Sequence, residues 1–269
     1  MSKILICAFV LFFTSFTNTT EAATLHALLI GDSHDDELGE AIIEDLNRMH
    51  KAIKKISNIT GLEKNEIRLM GNKATRQQVV ETLDLLKVAS DDVVIVYFTM
   101  HGYRSKNKSS RWPDLFFGVD NAGVDLNYFS AIVEEKNPRL LIVLADCCNA
   151  YVSPGEISST WRKKNISRSK SLRRKAIASN YQRLFLNTCG TIIASGSQPG
   201  EPSYGSDEEG SLFTLAFVEV LEEAVDNEDR ASWQSIFDEI EEYIEDESID
   251  DEDMDEPQTP QYLLDICYC

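Results

Sequence analysis

Residues 140–150 read Leu140-Leu141-Ile142-Val143-Leu144-Ala145-Asp146-Cys147-Cys148-Asn149-Ala150. A run of consecutive apolar residues gives way without transition to an acid and two adjacent cysteines. A run that lacks alternation suits a strand buried on both faces of a parallel sheet. Ligands of open α/β sheets gather beyond the carboxyl ends of the strands, and there Asp146, Cys147 and Cys148 would stand. Taken alone, a cysteine after a strand is equally well read as a small buried hydrophobe. The rest of the chain has to decide.

A second continuous run, Val93 to Phe98, ends in Thr99-Met100-His101-Gly102. Thr24 to Gly31, Glu66 to Met70 and Gly190 to Ser195 read as further strands, and Leu115 to Val119 as one arm of a small hairpin. Between them lie helical patterns: Leu38, Ile42, Asp45, Met49, Ile53 and Ile56 recur at helical spacing, as do the apolar positions of Ala74 to Val88. Leu126 to Glu135, Ser211 to Glu223 and Trp233 to Ile244 complete the helices, and Gln258 to Leu264 reads as an edge strand, where Pro260 is tolerated. Strands alternating with helices predict an α/β fold, a three-layer α/β/α sandwich with a mainly parallel central sheet of about six strands. Asp45 breaks the pattern, because it shares the face that should point at the sheet.

The chain has 269 residues and a formal net charge of −19, which argues against general binding to nucleic acid. The charge is uneven. Trp161 to Arg183 is densely basic and lacks acids, a segment expected to be a solvated loop or a partly helical insertion; Glu245 to Glu256 is an acidic run too charged to pack alone. Lys3, the apolar stretch Ile4 to Phe16 and Thr20-Glu21-Ala22 fit a secretory signal peptide over residues 1–22, too short for a membrane span and implying a secreted, periplasmic or lumenal protein. Removing Cys7 leaves five cysteines whose spacing fits neither a disulfide scaffold nor structural zinc. Their usage points to a reactive thiol rather than a staple. Asn58, Asn107 and Asn165 head Asn-x-Ser/Thr matches that matter only in a glycosylating pathway.

If the strands ending at Thr99 and Asp146 are neighbours, His101 faces Cys147 and Cys148 across the top of the sheet. An imidazole promotes the nucleophilic thiolate and then donates a proton to the leaving amine. Gly102 has no side chain to block a substrate, so its N–H can serve an oxyanion.

The order strand-x-His-Gly, strand-Asp-Cys-Cys, strand-Ala-Ser and then Gly210-Ser211-Leu212-Phe213-Thr214 resembles the caspase-like cysteine peptidases, most closely metacaspases and bacterial caspase homologues. The resemblance runs from Leu25 to Leu264 and includes Gln258-Thr259-Pro260-Gln261. It implies one peptidase domain over 23–269: a large-subunit-like part (24–152), a basic linker (153–188) and a small-subunit-like part (189–269). In that branch the last residue of Asp-[Ser/Cys]-Cys is the nucleophile. The resemblance thus implies Cys148 as nucleophile, His101 as general base and acid, and Gly102 and Cys148 at the oxyanion. It further implies Asp45, Thr99 and Asp146 as the pocket for the residue before the cut bond. Two recessed carboxylates complement guanidinium or ammonium, so the expected partners are polypeptides with Arg or Lys.

Two departures weigh on this expectation. Asn149-Ala150 replaces His-Ser-Gly, and Met100 stands where a small residue is usual, a substitution expected to crowd the site. The loop Tyr103 to Lys108 lacks the acids of calcium-activated metacaspases, so no cofactor is required and the usual calcium site is absent. An enzyme preferring Arg or Lys would meet many candidate bonds in its own basic linker, which makes self-cleavage an expectation. The competing readings are an inactive caspase-like binding or regulatory module, favoured by the two departures, and a legumain-like peptidase of different specificity.

Overall fold

The computed structural model describes residues 22–151, 161–163, 178–226, 230–249 and 256–268. The expected leader lies outside them apart from Ala22, as do most of the basic linker and much of the acidic run. The first half of the chain forms β1 (Thr24–Gly31), α1 (Gly39–Thr60), β2 (Glu63–Met70), α2 (Arg76–Leu85), β3 (Val93–Thr99), β4 (Gly102–Tyr103), β5 (Asp114–Phe117), β6 (Ala122–Asp125), α3 (Leu126–Glu134) and β7 (Leu140–Asp146). The second half forms β8 (Trp161–Lys163), α4 (Ala178–Phe185), β9 (Thr188–Ser195), β10 (Ser203–Ser206), β11 (Gly210–Ser211), α5 (Leu212–Asp226), α6 (Trp233–Ile249) and β12 (Gln261–Tyr268).

Six strands make the central sheet in the order β12-β9-β7-β3-β1-β2. All neighbours are parallel except β12, which runs antiparallel to β9 at the edge. The runs without alternation, β3 and β7, lie at the centre and are buried at every position, because both of their faces are covered by helices. One face packs on α1, α4, α5 and α6, the other on α2, α3 and the small β4-β5-β6 sheet. This is the expected three-layer sandwich. Each fully buried Leu, Val or Ile contributes roughly 1.5–3 kcal/mol, so the central strands form a rigid base for whatever their ends carry.

The outer strands read differently. β2 exposes most of its length and carries Glu63, Lys64, Glu66 and Arg68, charges that discourage edge-to-edge pairing. β12 alternates half-buried and exposed residues after the buried Gln261, as a strand covered on one face should. The helix α1 spans 22 residues and ends at Gly61, whose φ of 78° and N–H bond to Ser57 O close it in the left-handed conformation favoured by glycine. Helix α2 is shorter than its pattern suggested: Thr75 caps it by accepting from Gln78 N at 3.1 Å, and Leu86 is already extended.

Two expectations are corrected. Cys189 and Cys267 stand opposite one another in the β9–β12 register and form a disulfide, so the cysteines do include a staple. Their separation of 78 residues gave no local signal; only the sheet brings them together. The basic segment is not merely loop or helix, since Trp161–Lys163 pairs in parallel with β10 and Ala178–Phe185 is helix α4.

Candidate active site

The two apolar runs are neighbours: β3 and β7 pair so that Thr99 lies opposite Asp146, and β1 brings Gly31 alongside Thr99. Period-2 alternation then sorts the residues at their ends. Val93, Ile95 and Tyr97 face the α1/α5 layer together with Leu140, Ile142 and Leu144, and Thr99 and Asp146 continue that series toward α1. Met100 and Cys147 fall on the opposite side, inside the second core with Phe98, Trp112 and Leu115. The expectation that Met100 crowds the site is therefore overturned. Cys147 is a packing residue, and burial, then the charges at Cys148 and Asp146, push its thiol well above the ordinary range.

Cys148 follows on the pocket side and is 1% exposed. Its Sγ accepts a hydrogen bond from Ser203 N at 3.1 Å, so the first residue of β10 covers it. Gly102 backs directly onto the cysteines. A Cβ there would meet Cys148 O, and Cys147 Sγ at 2.8 Å, so β4 can approach this closely only as glycine. Phe116 N donates to His101 O at 2.9 Å, tying the small sheet to the histidine's backbone.

Asp45 rises from α1 into the same recess and is fully buried. It accepts from Thr99 Oγ1 at 2.9 Å, from Ser211 N at 2.9 Å and from Ser211 Oγ at 2.7 Å. Asp146 accepts from Thr214 N at 2.8 Å, Thr214 Oγ1 at 2.6 Å and Ser203 Oγ at 3.1 Å. Burial, and then the neighbouring Asp146 carboxylate, push Asp45 up to about 8. Burial also pushes Asp146 up to about 6, against the opposing pull of Thr214, Ser203 and Arg48. Arg48 does little to neutralise them: its Nη1 is 3.8 Å from Asp45 Oδ1 and donates instead to Glu209 O. A pair so placed holds one proton near neutral pH, chiefly on Asp45, and an inserted cation would let both ionise. Thus the structure groups Asp45, Thr99 and Asp146, the three pocket residues singled out above. The hydroxyls of Ser203, Ser211 and Thr214 were missed as their partners; the Gly210-Ser211-Leu212-Phe213-Thr214 stretch was their only trace in the sequence.

His101 is 7% exposed. Its Nε2 lies 3.2 Å from Asp35 Oδ2, within ion-pair range, although neither ring nitrogen has a well-aligned hydrogen-bond partner. Asp35 belongs to the loop between β1 and α1, and sequence reasoning passed over it. Its other oxygen accepts from Glu37 N and Leu38 N, each at 2.9 Å. Burial alone would raise this carboxyl; His101 and the two amides overcome that and hold it at about 2.

Asn149, where the chain departs from the expected pattern, is fully buried. It braces the loop beneath Cys148: its Nδ2 donates to Arg111 O at 3.0 Å and its backbone joins Glu201 O and Gly200 N. Gln261 and Gln258 brace the same floor, reaching Ser195 Oγ and Ser197 O, and Gly196 O and Tyr204 N, respectively.

A buried cysteine and a buried histidine following neighbouring strands, with a buried acid pair at the carboxyl ends of the parallel sheet, suit acyl transfer from a polypeptide. Comparison with known proteins agrees. The family model described as "Caspase domain" matches residues 24–266. Among solved structures, caspase-1 from Spodoptera frugiperda superposes with a TM-score of 0.53, covering 90% of this chain and 85% of that one at 14% identity; at that identity the likeness speaks for the fold. No curated protein matches. Since the matched domain takes in β1, both apolar strands, the cysteines and the acid pair, this chain belongs to the caspase-domain family of cysteine peptidases.

Proposed function

We propose that the chain is an exported, metacaspase-like endopeptidase that cuts after Arg or Lys through Cys148 and His101. The observation that carries this reading is the pair of buried carboxylates, Asp45, which accepts from Thr99, and Asp146, which lies opposite Thr99 in the sheet. A guanidinium entering between them would find two acceptors whose repulsion it relieves; an acidic side chain would add to that repulsion. In this reading His101 takes the Cys148 proton, Sγ adds to the carbonyl carbon, and the N–H groups of Gly102 and Cys148 receive the oxyanion. His101 then protonates the leaving amine, and water hydrolyses the thioester.

Export is supported by the Cys189–Cys267 bridge, since such bonds persist in oxidising compartments. Independence from calcium is supported by Lys108, whose ammonium already pairs with Asp114 and Asp125 in the small sheet beside His101. The burial of Cys148 beneath Ser203 favours a second reading, a catalytically silent module, unless β10 yields to substrate.

A fluorogenic panel with Arg, Lys, Asp and Asn before the scissile bond separates these readings. Arg and Lys peptides are expected to be cut with and without calcium, and Cys148→Ala is expected to abolish cutting. Preference for Asn would identify legumain-like specificity, and no cutting at all the silent module. In the same incubation, bands present in wild type but missing from Cys148→Ala report self-cleavage in the basic linker.

A further inference from the structure

Resting on the Cys148–His101 reading, we propose that Asp35 is a positioning residue that holds His101 through Nε2, turning a dyad into a Cys–His–Asp triad. The geometry is specific. One Asp35 oxygen is fixed by the Glu37 and Leu38 amides, each at 2.9 Å, which leaves Oδ2 at ion-pair distance from Nε2, 3.2 Å. The loop that carries it is tight. Asp35 O accepts from Gly39 N at 3.0 Å, and a Cβ at Gly39 would come within 2.9 Å of Ser33 O.

A carboxylate on Nε2 leaves Nδ1 as the nitrogen for the thiol, which is the logic by which an acid orients a catalytic imidazole. The side chains of His101 and Asp35 are only 7% and 23% exposed, so solvent screens the contact incompletely. Asp32 on the same loop also interacts electrostatically with His101 and with His34, while Cys148, Asp146, Lys108 and Asp114 act on Cys147, the neighbour of the nucleophile. Among these, Asp35 is the carboxylate at ion-pair distance from the imidazole.

The test is the rate of Cys148 alkylation by iodoacetamide across pH, with the label located by peptide mass spectrometry, in wild type, Asp35→Asn, His101→Ala and the double variant. Asn at 35 still offers an oxygen to the two amides, so the loop is preserved. Near neutral pH, Asp35→Asn is expected to slow alkylation roughly tenfold or more. The gap should close at alkaline pH, where a thiol ionises without help. In the His101→Ala background the same change should cost nothing further. Equal slowing at every pH, no slowing, or an undiminished loss in the His101→Ala background would each overturn the proposal. If Asp35→Asn lowers the melting temperature, Asp35→Ser, which also accepts from the amides, repeats the series. Failure of the peptidase reading registers separately, as wild type that cuts no peptide, while the alkylation profile stays readable.

Discussion

At the amino end of the central sheet His26 Nε2 meets Asp92 Oδ2 at 3.0 Å; at the carboxyl end His101 Nε2 meets Asp35 Oδ2 at 3.2 Å. Both histidines are buried, and by residue type the two contacts are the same. Their surroundings differ. Asn65 Nδ2 lies 3.0 Å from His26 Nδ1, and Asp92 accepts from Thr24 N and Ala89 N as well, so that cluster is saturated. His101 keeps Nδ1 without a partner among the described residues. A structural histidine has its polar atoms spoken for, whereas one that must exchange protons keeps a nitrogen in reserve. Saturation, more than burial or an acidic neighbour, separates the two ends.

Substitution of the histidines breaks the comparison most sharply. His101→Ala is expected to lower kcat/KM on an Arg peptide by roughly 10²- to 10⁴-fold with little change in melting temperature. His26→Ala should leave kcat/KM within about twofold, because the sheet separates it from the site. Equal losses in steady-state assays of the two would erase the distinction.

Stability should reverse the order. His26→Ala takes one partner from the buried Asp92 carboxylate, which costs about 1–3 kcal/mol. For a domain of this size that is a fall of several degrees in melting temperature, readable by calorimetry. A His26→Ala protein as stable as wild type would mean that the amino-end cluster is not structural after all.

The carboxylates sharpen the contrast with a smaller effect. Burial raises Asp92, but the Ala89 and Thr24 amides and His26 outweigh it and hold it below its ordinary value. Its contribution to stability is present above the ordinary carboxylate range and is lost as pH falls through its lowered value. Asp45 is pushed the other way, to about 8. Its contribution is complete below the ordinary carboxylate range and is lost as pH rises through about 8. Thermal melts across pH are expected to show Asp45→Asn flattening the decline between the ordinary carboxylate range and about 8, and Asp92→Asn flattening the one at acid pH. An unchanged decline over that window in Asp45→Asn would place the titrating group elsewhere.

What could be read from the sequence follows from which interactions are periodic. The central strands declared themselves because burial on two faces leaves no polar residue between Leu140 and Ala145. Asp45 was legible as an acid on an otherwise apolar helix face, an exception that called for polar partners at the sheet ends, which Thr99 and Ser211 supply. Asp35 was not, since it lies in a loop where Asp32, Asp35 and Asp36 crowd together without a period to single one out. The Ser203, Ser211 and Thr214 hydroxyls were equally hidden: polar residues near a Gly-rich stretch read as turn, and only folding places them 2.6–3.1 Å from the acids. Met100 was read against a pattern instead of against the pleat, whose alternation sends it into the core.

The disulfide has a consequence for how the molecule would come apart. Cys189 and Cys267 both lie after the basic linker, so the bond fastens the C-terminal part to itself and leaves the two parts joined across the sheet by β7 and β9. A single nick in the linker would therefore leave one particle of unchanged hydrodynamic radius, because that seam is made of hydrogen bonds and packing. The same nicked particle would separate into two bands in detergent even without reductant. The covalent chain and the mechanical body would then have different boundaries.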